Sequence, residues 1–205
     1  MLGRGSLTIA RLRGIPIRVH WTLPLGALVF SGFSFAPGFW LGFFLLVLIH
    51  ELGHAAFVRG FRLRVVGIDI SGFGGLCHWS GVATPAQRGA IAWGGVLAQA
   101  ALLAVTFAVL LVTGNPPTRF LAELASVFTF TNVYLIAINL LPIPPLDGYE
   151  AWGFVRRMIR GRGQRPKPPS RPISRPPEPP PDSEGMRRLA RMLEKVGDDA
   201  KKARR

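Results

Sequence analysis

The stretch Phe39-Trp40-Leu41-Gly42-Phe43-Phe44-Leu45-Leu46-Val47-Leu48-Ile49 runs without a charge into His50-Glu51-Leu52-Gly53-His54. On a helix, positions i and i+4 lie one above the other, so both imidazoles face the same way and can bind one zinc ion. Glu51 sits beside His50 and can take a proton from a zinc-activated water. The apolar run makes this pattern informative. An ionisable side chain within a lipid-facing helix costs about 2.5–3.5 kcal/mol or more, and three within five positions are hard to explain as packing. H-E-x-x-H also arises by chance on surface helices of soluble proteins. The setting argues against that reading, because an unliganded His-Glu-His cluster in hydrocarbon would leave polar groups unpaired.

Composition agrees with a membrane protein. Of 205 residues, 49% are apolar, and the mean hydropathy is +0.30. The net charge of +14 could suggest a nucleic-acid partner, but residues 156–205 alone hold 16 of the 25 basic side chains. The apolar body has no basic stripe, so a bilayer is expected and nucleic acid is not. Cys77 is the single cysteine, which excludes an intrachain disulfide. The N-terminus lacks a continuous apolar core before Pro16 and does not read as a cleavable signal peptide.

Four spans are expected. Residues 6–19 alternate around Gly14 and predict two short strands, with Pro16 at an edge. His20 and Trp21 then open a first apolar span reaching about Phe35, with His20 an interfacial residue. The second span covers about 39–60 and ends at Arg59, Arg62 and Arg64. Residues 65–84 alternate with period two around Gly72-Phe73-Gly74-Gly75 and predict a hairpin or re-entrant loop. Cys77 and His78 are adjacent there, and neighbours on a strand face opposite ways, so they make a poor ligand pair. The third span, about 88–113, has small residues at 90, 94 and 98 for close helix contact. Its Gln99 either bonds to another helix or lines the site. The fourth span, about 119–141, runs into Asn139-Leu140-Leu141-Pro142-Ile143-Pro144-Pro145-Leu146-Asp147-Gly148.

Asp147 precedes Arg156 by nine residues, as His50 precedes Arg59. That offset is about 14 Å along a helix, so the two acquire similar depth if spans two and four run in the same direction. Alternate connections put 24 of the 25 basic residues on one side, with Arg119 on the other. The positive-inside rule makes that side, and both termini, cytoplasmic. The expected organisation is a membrane-embedded core over 1–160, a proline-rich disordered linker over 161–183, and a basic amphipathic helix over 184–205. That helix suits an anionic lipid surface or a protein partner.

The motif at 50–54 and the Asn139 to Gly148 segment together resemble the site-2 protease family of intramembrane zinc metalloproteases, minimal prokaryotic type. His50-Glu51-Leu52-Gly53-His54 matches that family's H-E-x-G-H, and 139–148 matches N-x-x-P-x-x-P-L-D-G. Gly14-Ile15-Pro16-Ile17-Arg18-Val19-His20-Trp21 and Phe73-Gly74-Gly75 also resemble it, so the likeness spans about 5–160. It implies an α-helical polytopic protein with four core transmembrane helices and small β-hairpins at the cytoplasmic face of a prokaryotic inner or cell membrane. It implies one zinc per chain on His50, His54 and Asp147, Glu51 as general base, and Asn139 and Gln99 near the transition state or the substrate. The family's third-span motif has Gly-Pro and then Asn; here Gly95-Val96 and Gln99 stand instead. The substrate would be a single-span membrane protein, cut near the cytoplasmic side and held by the strand near Ile68 and Ile70. The alternative is a catalytically silent scaffold or metal-binding protein of the same fold, against which the intact Glu51 argues.

Depth also singles out Asp147 among the acids. Glu51 points about 100° away from His50 and suits the water better than the metal. Glu123 falls near the opposite end of span four, and Asp69, Cys77 and His78 lie in the hairpin, whose position the sequence leaves open.

Overall fold

The computed structural model describes residues 5–161, 185, 187–189 and 191–195. The expected linker beyond 161 and much of the expected 184–205 helix lie outside the described residues. The chain divides into two compact units, Met1–Gly163 and Gln164–Arg205. In the second, the described positions are helical, with Leu189, Met192 and Leu193 exposed.

The first unit opens with strands β1 (Ser6–Leu12) and β2 (Ile15–His20), followed by helices α1 (Leu23–Phe30) and α2 (Pro37–Gly60). Strands β3 (Arg64–Ser71) and β4 (Gly74–Ser80) follow, then helix α3 (Pro85–Thr113). Helix α4 (Arg119–Ser126), a π turn (Val127–Thr131) and helix α5 (Asn132–Asn139) form one continuous rod, and α6 (Asp147–Gly161) closes the unit.

Three helical stretches are long and apolar enough to cross a membrane: α2, α3 and the rod Arg119–Asn139. The expected first span is instead the eight-residue α1. Eight residues extend about 12 Å, against a hydrocarbon core of about 30 Å. Local chemistry sets both ends of α1. A side chain at Gly26 would strike the Gly72 backbone, so the start of α1 is pressed onto the β3–β4 turn. Gly32 and Phe33 have φ of 66° and 60°, which takes the chain out of the helix.

The two expected hairpins are present and join into one sheet of order β1-β2-β3-β4. Pairing is antiparallel within each hairpin and parallel between β2 and β3, where Ile17 faces Ile68 and Val19 faces Ile70. A parallel pair needs a long crossover, which α1 and α2 provide. Ile15, Ile17, Ile68, Ile70 and Cys77 share a buried cluster with Phe43, Val47, Ala55 and Val58 of α2, so the sheet is fastened to the motif helix. β3 is enclosed by β2 and β4. Ile68 and Ile70 therefore offer no free edge for a substrate strand; the edges are β1 and β4.

One carboxylate on β3 ties its two neighbours, β2 and β4. Asp69 is buried and accepts from Arg18 Nε at 2.5 Å and from His78 Nε2 at 2.7 Å. Burial alone would raise its pKa, but the Arg18 and His78 contacts outweigh burial and hold it below the ordinary 3.8. Its contribution is thus complete above 3.8 and disappears as pH falls through the lowered value. Asp69→Asn is expected to lower the thermal midpoint at pH 7 and to flatten its pH dependence below 4. Equal acid sensitivity of variant and wild type, followed by near-UV circular dichroism, would remove Asp69 from this role.

Helix α3 starts with a capping box: Gln87 N donates to the Thr84 hydroxyl at 3.2 Å, and Thr84 N donates to Gln87 Oε1 at 2.9 Å. At the far end of α2 from the motif, Glu123 accepts from Gly38 N at 3.0 Å, placing an anion at a helix N-terminus, and from Arg119 Nε at 2.9 Å. Helix α6 lies along the first half of α3: Trp93 Nε1 donates to the Ala151 carbonyl at 3.1 Å, and Arg157 to the Pro85 carbonyl at 2.6 Å. A side chain at Gly89 would strike Phe154.

Candidate metal centre

The motif lies on α2 where α3 passes closest. A Cβ on Gly53 would meet the Gly94 carbonyl, and one on Gly94 would come within 2.7 Å of the Gly53 carbonyl. Small residues on both helices allow this approach. Next along α3, a Cβ on Gly95 would lie 2.5 Å from His50 Cε1 and 2.6 Å from His54 Nε2. Any side chain there would displace both imidazoles.

Asp147 arrives from the other side. Gly148 packs directly on the Leu140 and Leu141 backbone, and Trp152 Nε1 donates to the Leu140 carbonyl at 2.7 Å. The chain thus doubles back after the prolines and starts α6 with Asp147 over the motif. His50 Nε2 lies 2.9 Å from Asp147 Oδ2, His54 Nε2 lies 3.1 Å from the same oxygen, and the two Nε2 atoms are 3.0 Å apart. The three side chains form the one metal-competent group among the described residues.

The second ring nitrogens decide what these atoms can do. His50 Nδ1 contacts Gln99 Oε1 at 3.0 Å, and His54 Nδ1 contacts the Ile91 carbonyl at 2.7 Å. Both partners can accept, so a neutral ring with its proton on Nδ1 presents its Nε2 lone pair to the centre. Two imidazole nitrogens and a carboxylate oxygen then converge within 2.9–3.1 Å of one another. Two imidazoles with one carboxylate suit zinc. Tetrahedral zinc with bonds of about 2.0–2.1 Å holds its ligand atoms about 3.3 Å apart, a few tenths of an ångström beyond these separations. The residues fit the ion.

Glu51 stands beside them but contributes no atom to the trio. It is 2% exposed and points to the edge strand, where Cys77 N–H donates to its carboxylate. A side chain at Gly75 would strike that carboxylate, so β4 needs glycine there. Burial, and secondly the Glu51 charge, push the Cys77 thiol up to about 12, which keeps it protonated.

The fold is site-2-protease-like. The structure is similar to that of the site-2 protease from Methanocaldococcus jannaschii, with a TM-score of 0.53 and 22% sequence identity over 77% of this chain and 73% of that one. No protein-family model matches the sequence. Comparison with curated proteins gives no match.

Of the residues singled out from sequence, His50, His54, Asp147, Gln99 and Glu51 come together. Asn139 is half-buried at the end of α5, and no described hydrogen bond joins it to the centre. His78 is held by Asp69 and His20 by the Thr22 hydroxyl at 2.8 Å, both away from the cluster. Sequence reasoning passed over Asn132. It is fully buried after the π turn and donates to the Gln99 carbonyl at 2.9 Å and to the Phe128 carbonyl at 3.2 Å. Its position could have been flagged by the rule that exposed Gln99, a polar side chain within an apolar span. The Ile91 carbonyl leaves no such mark, because every residue has one.

Proposed function

We propose that the protein is an intramembrane zinc endopeptidase that cleaves a transmembrane segment of another membrane protein. The reading rests on one observation: two imidazole nitrogens and a carboxylate oxygen converge at His50, His54 and Asp147, with a buried carboxylate, Glu51, one residue from a ligand and outside the ligand set. A purely structural metal site needs no base. The site-2-protease-like fold and three membrane-length helices support the same reading.

Bound zinc supplies Lewis-acid chemistry, polarising a carbonyl and acidifying a water. Glu51 accepts the proton of the attacking water and returns it to the leaving amine. Gln99 and the Ile91 carbonyl hold the imidazole orientations, so the ligands need little rearrangement. Asn139, near the end of the spanning rod, would meet substrate. A helical substrate hides its peptide bonds and must unwind. The free edge of β4, beside Glu51, is the natural partner for the extended segment. The arginines between α2 and α3 favour a cytoplasmic setting for this face.

The test uses purified protein, a single-span substrate and metal control. Chelation should abolish cleavage and remove about one zinc per chain, and stoichiometric zinc should restore both. A fully zinc-loaded protein that leaves a panel of single-span segments intact would favour the silent scaffold.

A further inference from the structure

At the C-terminal end of α2 a cleft of about 470 Å³ is lined by Arg13, Arg59, Arg62 and Arg64 over Ile15, Leu63 and Val65. The arginines come from the β1–β2 turn, the last turn of α2 and the connection into β3. No acidic side chain lines the cleft, and no ion pair or hydrogen bond joins these four side chains to another described residue. Elsewhere Arg18 is paired with Asp69, Arg88 approaches Glu150 at 3.7 Å, and Arg119 is paired with Glu123.

The arginines are not needed to finish α2. Phe61 N, Arg62 N and Leu63 N already donate to the Phe57, Arg59 and Val58 carbonyls at 3.0, 2.9 and 3.0 Å. Among described residues, three other than glycine have positive φ, and two of them are Arg13 at 50° and Arg62 at 59°. Arg13 shares the two-residue β1–β2 hairpin turn with Gly14, and Arg62 is the left-handed residue of the α2 cap, so two local turns bring these arginines to one cleft.

A second, apolar cavity of about 140 Å³ adjoins the first and shares Ile15 and Arg59 with it. Its other walls are Leu12, Leu52, Ala55, Ala56 and Ile68. From Arg59 to Leu52 it follows α2 for about 10 Å toward the motif. The positive-inside rule accounts for arginines at this level. It does not account for four unpaired ones lining one cleft that shares two walls with an apolar slot.

We infer that this cleft binds the phosphate of an anionic phospholipid, with part of an acyl chain in the adjoining slot. Guanidinium groups take a phosphate bidentately, and a lipid brings the two chemistries in the order the walls present them. The inference does not depend on peptidase activity.

The test is native mass spectrometry of the full chain released from mixed nanodiscs of phosphatidylglycerol and phosphatidylcholine, with inorganic phosphate titrated separately by calorimetry. Wild type should retain phosphatidylglycerol over phosphatidylcholine by at least about tenfold. Arg59→Gln with Arg62→Gln should lose that preference, and the double lysine variant should keep part of it. Zinc content monitors folding of each. Ala56→Leu, which fills the slot, should weaken lipid retention. If inorganic phosphate binds, loses binding in the glutamine variant and is indifferent to Ala56→Leu, the anion site stands and the lipid assignment falls. Equal retention of the two lipids by wild type, with no binding of phosphate, would overturn the proposal outright.

Discussion

Glu51→Gln is expected to keep one zinc per chain while cleavage falls at least about a hundredfold, the usual scale for losing a general base. The geometry separates the two readouts. The three converging atoms belong to His50, His54 and Asp147, and Glu51 contributes none of them. Its carboxylate accepts from Cys77 N–H and is closed in by Gly75. A glutamine of the same shape can still accept that hydrogen bond through its amide oxygen, so packing is preserved. An amide cannot take a proton from water, so only the chemistry should suffer. Zinc by elemental analysis and cleavage by gel assay decide the matter. Full activity in the variant would remove Glu51 from the mechanism, and loss of zinc would make it a ligand.

Asp147→Ala is expected to lose both zinc and cleavage, whereas His78→Ala and Cys77→Ser keep both. Catalytic zinc sites use three protein ligands, and two imidazoles alone make an incomplete one. Asp147 Oδ2 stands 2.9 and 3.1 Å from the two Nε2 atoms. Its backbone is held independently, through Gly148 on Leu140 and Leu141 and through the Trp152 bond to the Leu140 carbonyl. Truncation therefore removes a ligand without releasing the turn. His78 spends its ring on Asp69, so His78→Ala should weaken the sheet and leave the metal in place. Zinc surviving Asp147→Ala but lost with His78→Ala would overturn the assignment.

Much of the centre was legible before any coordinates. Two histidines four apart share a helix face through the 3.6-residue period alone, and polar groups in an apolar run need a partner. The matching offsets of His50 and Asp147 from the basic ends anticipated that residues almost a hundred apart could meet. Period-two alternation predicted both hairpins.

Other features depended on neighbours that sequence order does not reveal. Residues 21–35 are apolar enough to suggest a span, but contact between Gly26 and Gly72 and the positive φ at Gly32 and Phe33 confine the helix to eight residues. Alternation shows that a strand exists and leaves its partners open. Only the parallel pairing of β2 with β3 encloses Ile68 and Ile70 and leaves β4 as the edge beside Glu51. Gln99 was a polar residue with two possible roles until its oxygen was seen against His50 Nδ1. Gly75 and Gly95 were ordinary glycines until Glu51 and the two imidazoles occupied the space where a Cβ would be. The sequence by itself determined which side chains could meet at one metal-competent group, because helix period and the cost of burying charge act locally. The tertiary structure alone decided ring orientation, close glycine contacts and the free strand edge, because each depends on atoms brought near from another element.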